Sequence, residues 1–207
     1  MKPAAFDFVA AESREEALET LAEHGDAARP IAGGQSLGPM LNLRLAQPEV
    51  LVDIAHISDF GGVVWSGTEL TVGADATQAS LLADPSLAAR RPLVADAMPC
   101  MGDVQTRARG TVCGSLANAD PAAELPLLFR MLGGIADVQS STGVRSVPAD
   151  AFFLGMFATA LAPEELLVRV RFPAPPAGAG VAFREVAERH GAFAIAAVAA
   201  LAAAAGV

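Results

Sequence analysis

Ile31-Ala32-Gly33-Gly34-Gln35-Ser36-Leu37, IAGGQSL, sets two adjacent glycines between a short apolar run and a helix-like segment. Glycine takes positive φ at no steric cost, so the pair can make a tight turn. Without Cβ atoms, the same backbone can also bring its N–H groups against a phosphate at a helix start. The stretch by itself allows both readings.

Around this loop the chain alternates. A strand is predicted over 6–9, then a helix over 13–24 (SREEALETLAEH) with Ser13 and Glu16 in a capping box and Gly25 beyond its end. A strand over 29–32 enters the glycine loop, a short helix covers 37–43, and VLVDI at 50–54 reads as a buried strand. That alternation is the mark of an α/β arrangement. Beyond Asp59 the pattern turns mixed. A hairpin is expected around Ser66-Gly67-Thr68, with helices at 77–83 and 92–98 and a further helix running through Leu132. Strands follow at 135–139, 144–147 and 165–172. PAPPAGAG (173–180) reads as a linker, and propensity alone makes the alanine-rich tract after it helical.

The 207 residues fit one large domain or two small ones, and 53% apolar with 18% charged residues indicates a globular core. A net charge of −9 excludes the basic face that nucleic acid needs. Two cysteines, Cys100 and Cys113, form no disulfide framework, which fits reduced thiols in the cytoplasm. No secretory leader is read at the start, and the apolar run over 192–207 falls short of a spanning helix.

A second loop repeats the chemistry of the first. Arg109-Gly110-Thr111-Val112-Cys113-Gly114-Ser115 again joins small residues to a helix start. Thr111 and Ser115 bring hydroxyls, and amides near Gly114 are expected to face outward. Two such loops could clasp the two phosphates of a dinucleotide. Neither matches the spacing of the Rossmann or Walker fingerprints.

AGGQSLGPMLNLRLAQPEVLVDI (32–54) and TRARGTVCGSLANADPAAELP (106–126) resemble the flavoprotein subunit of molybdenum hydroxylases, the family of the carbon monoxide dehydrogenase medium subunit and the FAD domain of xanthine dehydrogenase and aldehyde oxidase. FFLGMFATALAPEELLVRVRFP and AFREVAERHG extend the likeness over nearly the whole chain. The resemblance implies an α/β (α+β) FAD-binding fold: a domain over 1–175, with subdomains of about 1–57 and 58–175, then a linker and partial C-terminal domain over 176–207. It places FAD between the subdomains. Ile31, Ala32, Gly33, Gly34, Gln35, Ser36 and Leu37 would form one side of the diphosphate site, and Thr111, Gly114 and Ser115 the other. Glu124 would accept hydrogen bonds from ribityl or adenosine hydroxyls, Leu167 would pack on the isoalloxazine and Arg184 would stand near that ring. Met101 and Ala117 complete the implied cofactor set.

Two departures accompany the likeness. Cys113 stands where the family has a glycine-like position. Relatives also continue for about half a domain past this chain, so the sequence is a fragment or a shortened member, and in the family AIAAVAALA (194–202) is a strand. The implied function is electron transfer: electrons reach FAD from [2Fe–2S] clusters of a small subunit, beside a molybdopterin-binding large subunit, and leave to NAD, oxygen or a quinone. A shortened member that has lost FAD and serves as an assembly module is the alternative.

No catalytic side chain is expected, since the chemistry belongs to the cofactor. His24, His56 and His190 lack company at metal spacing, so no metal site is expected. Asp103, Arg107 and Arg109 read as loop-ordering charges, Asp53 as a carboxylate that either bonds the first loop or caps amides at its strand end, Cys113 as an inert small residue and Trp65 as packing.

Overall fold

The computed structural model describes residues 2–203. β1 (Asp7–Ala10) leads into α1 (Arg14–His24), β2 (Ala28–Ile31), α2 (Leu37–Asn42) and β3 (Val50–Asp53). Ser13 starts α1: its Oγ accepts the Glu16 N–H at 3.1 Å, while the Glu16 carboxylate accepts the Glu12 N–H at 2.8 Å. The capping box therefore closes one residue earlier than the usual pattern. Ala17, Leu18 and Leu21 form the buried face of α1 over a parallel sheet ordered β1-β3-β2. Ala10 and Ile31 both align with Asp53, so the three strands end level. The glycine loop leaves this carboxyl edge, where open α/β sheets carry their ligands.

The second layer holds β4 (Val63–Ser66), β5 (Glu69–Gly73), α3 (Gln78–Leu82), α4 (Leu87–Arg90), α5 (Pro92–Ala97), α6 (Val104–Arg109), α7 (Val112–Asn118), α8 (Glu124–Met131), β6 (Ile135–Ser140), β7 (Gly143–Pro148), α9 (Ala149–Phe152), β8 (Phe153–Gly155), β9 (Ala158–Thr159) and β10 (Leu166–Phe172). An antiparallel sheet runs β4-β5-β10-β6-β7, with β10 at its centre. Phe129 meets Phe152 and Phe172 edge to face. These rings and the buried face of α1 belong to one continuous core. In β6, buried Asp137 accepts from Arg169 Nε at 2.7 Å, Arg171 Nη2 at 2.9 Å and Ser146 Oγ at 2.6 Å.

The structure corrects the sequence reading in three places. The helix expected to run through Leu132 is α8, but the stretch ahead of it, expected as a loop, holds a helix of its own, α7. Ala119 takes φ 50°, the Asp120 carboxylate accepts the Ala122 N–H, and α8 starts afresh at Glu124. The short helices α4 and α6 were not anticipated. The alanine tract is a strand: β11 (Gly180–Ala187) and β12 (Ala194–Ala202) form an antiparallel hairpin. Ladder pairing to β11 overrides the helical propensity of alanine. Phe183 of β11 is buried in the core, β11 lies along α5 and β12 along α8. Residues 204–207 of the tract lie outside the described residues.

Candidate functional site

Gly34 takes φ 70° and turns the chain out of β2. Only the next turn restores regular bonding, where the Gly38 N–H reaches the Gly34 carbonyl at 2.9 Å. Between them lies a row of donors. The backbone N–H groups of Gly33, Gly34, Gln35, Ser36 and Leu37 donate to no other protein group among the described residues. None of these residues is buried, so the amides stand open to an acceptor, as the leading donors of a helix start do.

The second loop presses against the first. A β-carbon built on Gly33 would fall 1.8 Å from the Arg109 carbonyl oxygen and 2.9 Å from the Gly110 Cα. One loop thus lies directly on the backbone of the other. Thr111 and Thr77 bridge the second loop to α3, and the Gln78 N–H reaches the Gly110 carbonyl at 2.8 Å. Thr111 caps α7, its Oγ1 accepting the Gly114 N–H at 3.0 Å. That bond corrects one expectation: the Gly114 amide serves the cap, and the loop's polar offering is the hydroxyls of Thr111 and Ser115. Cys113 lies within α7, so its backbone carries no left-handed strain. Burial pushes its thiol well above the ordinary range, which keeps it protonated and inert.

Both loops line one cleft of about 1090 Å³. Drug-sized and cofactor sites commonly span about 300–1,000 Å³, so a dinucleotide can be housed. Ile31, Ala32, Gln35, Ser36, Leu37, Met101, Ala117, Glu124 and Leu167 contribute to its wall with the glycines and hydroxyls above. Glu124 heads α8 and is buried; burial first, then the neighbouring Glu185 and Asp120, pushes its carboxyl up to about 7. The turn between β11 and β12 closes one side of the cleft with Arg189, Gly191 and Phe193. Gly191 seats that turn on the Gly102 backbone, where a β-carbon would meet the Gly102 carbonyl oxygen at 2.6 Å.

Arg184 is not part of this wall. Side chains alternate along a strand, so burying Phe183 turns Arg184 outward, where it donates to the Phe183 carbonyl at 2.7 Å. Arg189, in the turn beyond β11, is the cation that this hairpin brings to the cleft. Arg29, Gln78 and Phe157 also line it and carry no sequence signal that separates them from ordinary strand, helix and loop residues.

The loop-ordering charges do what their types suggest. Asp103 caps α6 by accepting the Thr106 N–H at 2.7 Å, and Arg107 donates to the Met101 and Gly102 carbonyls at 2.8 Å. Asp53 accepts the Ala55 N–H, and Trp65 Nε1 donates to Asp84 at 2.9 Å. No cluster of metal-ligating side chains occurs among the described residues.

Comparison with known proteins agrees with this geometry. Residues 4–175 match the model of the FAD binding domain in molybdopterin dehydrogenase. The chain is 40% identical over 195 residues to the 6-hydroxypseudooxynicotine dehydrogenase complex subunit alpha of Paenarthrobacter nicotinovorans, covering 94% of this chain and 66% of that protein. It is 38% identical to the carbon monoxide dehydrogenase medium chain of Afipia carboxidovorans, covering 96% and 69%. Among solved structures, carbon monoxide dehydrogenase from Hydrogenophaga pseudoflava lacking the Mo-pyranopterin moiety superposes with a TM-score of 0.94 at 37% identity, covering 100% of this chain and 72% of that one. Quinoline 2-oxidoreductase from Pseudomonas putida 86 gives 0.90 at 40% identity, covering 96% and 69%. The chain spans about two thirds of the length of these relatives.

Proposed function

The chain belongs to the FAD-binding domain family of the molybdopterin dehydrogenases, and from that membership we propose that it is the flavin-carrying, electron-transferring part of a molybdenum-containing hydroxylase or dehydrogenase. FAD is the cofactor of this family's domain. The observation that carries the reading is the row of free amides from Gly33 to Leu37 on the wall of a cleft that the second glycine loop shares.

The residues fit the parts of FAD. The amides of Gly33 to Leu37 would hold the diphosphate; the missing side chain of Gly33 lets the second loop close against the first, and Gly34 makes the positive-φ turn that leads into the row. Thr111 and Ser115 would donate hydroxyl hydrogen bonds from the opposite side. Glu124 would accept from cofactor hydroxyls, while Met101, Ala117 and Leu167 offer apolar surface. Bound FAD would supply the electron-carrying chemistry between an iron–sulfur cluster and an acceptor such as NAD, oxygen or a quinone. The protein binds that carrier, orients it and limits water at its edge.

The proposed partners are a molybdopterin-binding large subunit and a [2Fe–2S] small subunit, and the proposed compartment is the cytoplasm. The sequence has two cysteines, both free thiols, fewer than the four thiolates that hold a [2Fe–2S] cluster. No described helix is long and apolar enough to cross a membrane. The proposed cofactor domain ends near residue 175.

Flavin content tests the reading. The purified chain should be yellow, or become so on adding FAD, and release one FAD per chain on denaturation. A colourless protein that takes up no flavin at saturating FAD overturns it in favour of a flavin-free assembly module.

A further inference from the structure

A second, smaller pocket lies where α1 meets the second sheet, and it shares no wall residue with the cofactor cleft. It holds about 100 Å³, room for a few water molecules or one small ion. Arg14 enters its wall from the first turn of α1, Asp59 and Phe60 from the connection between β3 and β4, Gln139 from β6 and Arg169 from β10. The ladder of β10 shifts register between Leu167 and Arg169. Leu167 lines the cleft, whereas Val168 and Arg169 both line the small pocket. A bulge re-aims side chains in this way.

The wall is rich in unused donors. Arg14 Nη2 donates to the Asp59 carbonyl at 2.6 Å and pairs with Asp59 Oδ2 at 3.0 Å, while its Nη1 donates to Gln139 Oε1 at 3.2 Å. Its Nε is buried and bonded to nothing among the described residues. The Phe60 ring steadies this guanidinium, whose Cζ lies 5.3 Å from the ring centroid. Arg169 Nε donates to Asp137, but neither of its Nη groups bonds a protein acceptor among the described residues. Gln139 accepts through its oxygen and keeps its amide N–H groups free among the described residues. Against these donors the wall sets one carboxylate, Asp59, so two guanidinium groups leave it net positive.

We propose that this pocket binds one free phosphate ion, held by Arg14, Arg169 and Gln139 and selected by Asp59. The donors come from three separate elements, so they suit an acceptor whose oxygens point in several directions. A planar carboxylate is already matched by a single guanidinium fork. Asp59 decides among the tetrahedral ions. A carboxylate only accepts hydrogen bonds, so the ion beside it has to carry a hydrogen. Hydrogen phosphate carries one and sulfate carries none, while a phosphate monoester has lost its last proton above about pH 6. The bound ion gives the buried Arg14 Nε its missing acceptor and ties α1 to β6 and β10, joining the two layers. The site is independent of the FAD reading, because the two walls share no residue.

Thermal unfolding of the full chain at about pH 8, with inorganic phosphate exchanged for chloride at fixed ionic strength, reads the site. Arg169→Gln removes the free guanidinium, and Asp137 keeps its bonds from Arg171 and Ser146, so this variant should fold. The midpoint of the unmodified chain should rise with the logarithm of phosphate concentration, by about 5–10 °C at a hundredfold excess over Kd. Arg169→Gln should lose that rise. Comparing the two proteins cancels the general salt effect and any phosphate held by the cleft. Sulfate and O-phosphoserine should shift both proteins equally. Asp59→Asn offers an amide N–H in place of a charge, so sulfate should stabilise it as phosphate stabilises the unmodified chain. A phosphate shift that Arg169→Gln leaves undiminished, or no shift in either protein, overturns the site. Sulfate or O-phosphoserine acting on the unmodified chain as strongly as phosphate overturns its assignment to the free ion.

Discussion

Gly33 and Arg109 touch without room for a methyl group: a β-carbon on Gly33 would sit 1.8 Å from the Arg109 carbonyl oxygen. The obstruction is backbone, which cannot swing aside as a side chain can. Gly33→Ala must therefore separate the two loops. It should cost about 1–3 kcal/mol of stability, the range for overpacking a tight contact, and weaken FAD binding by at least about tenfold, or about 1.4 kcal/mol. Gly38 in α2 has open space around it. Gly38→Ala should leave binding unchanged and stabilise by about 0.5–1 kcal/mol. Flavin titrations of the two variants should diverge; equal affinities would show that the loop contact does not shape the site.

Thr111 serves the fold and the site through one hydroxyl, which accepts the Gly114 N–H. A β-carbon on residue 114 would lie 2.7 Å from that oxygen, so the cap also explains the glycine. Thr111→Val keeps the shape and removes the acceptor, at a cost of about 0.5–2 kcal/mol as for other N-caps. Thr111→Ser should recover most of the loss in chemical denaturation and in FAD affinity.

Asp137 shows the opposite pH behaviour to Glu124. Burial pushes its carboxyl up, but hydrogen bonds from Arg171, Ser146 and Arg169 outweigh burial and hold it below the ordinary carboxylate value of 3.8. A lowered folded-state pKa means the stabilisation is complete above about pH 4 and disappears as pH falls through the folded value. Arg169 is half exposed, so losing the carboxylate leaves it able to hydrate. Asp137→Ala should then cost about 1–3 kcal/mol at pH 7, rather than the larger penalty of a fully buried broken pair. Acid unfolding monitored by circular dichroism should begin at higher pH in Asp137→Asn than in the unmodified chain.

The parallel α/β start was legible because helix caps, glycines and apolar runs all agree between Ser13 and Asp53. The two glycine loops were legible as chemistry, yet their mutual contact was not, since nothing local joins Gly33 to Arg109. Arg184 was placed by resemblance alone; strand alternation after Phe183 turns it away and gives the cleft Arg189. The alanine tract misled propensity because its pairing partner, β11, lies across a turn and has no helical competitor once Phe183 is buried.

Phe183 is the anchor on which the hairpin depends. It is 5% exposed, whereas Val186, Ile195 and Val198 on the outer side of the same hairpin are more than 60% exposed. Val181, Ala197, Ala199 and Leu201 add only partly buried contacts, and five of the nine residues of β12 are exposed. An isolated two-stranded hairpin is marginal in water, so docking must hold it. Phe183→Ala removes the largest docking group, with a cost of about 3–5 kcal/mol if the site does not collapse. The loss should concentrate in the hairpin, because the core beneath α5 and α8 is closed by other residues such as Leu93, Val94 and Leu128. Amide hydrogen exchange should accelerate by at least about a hundredfold across β12, equivalent to about 2.7 kcal/mol, while β10 and β6 keep their protection. Affinity for FAD should fall together with the hairpin's protection, since Arg189 and Phe193 reach the cleft only from a docked turn. Fast exchange with unchanged affinity would show that this wall does not contribute to holding the cofactor.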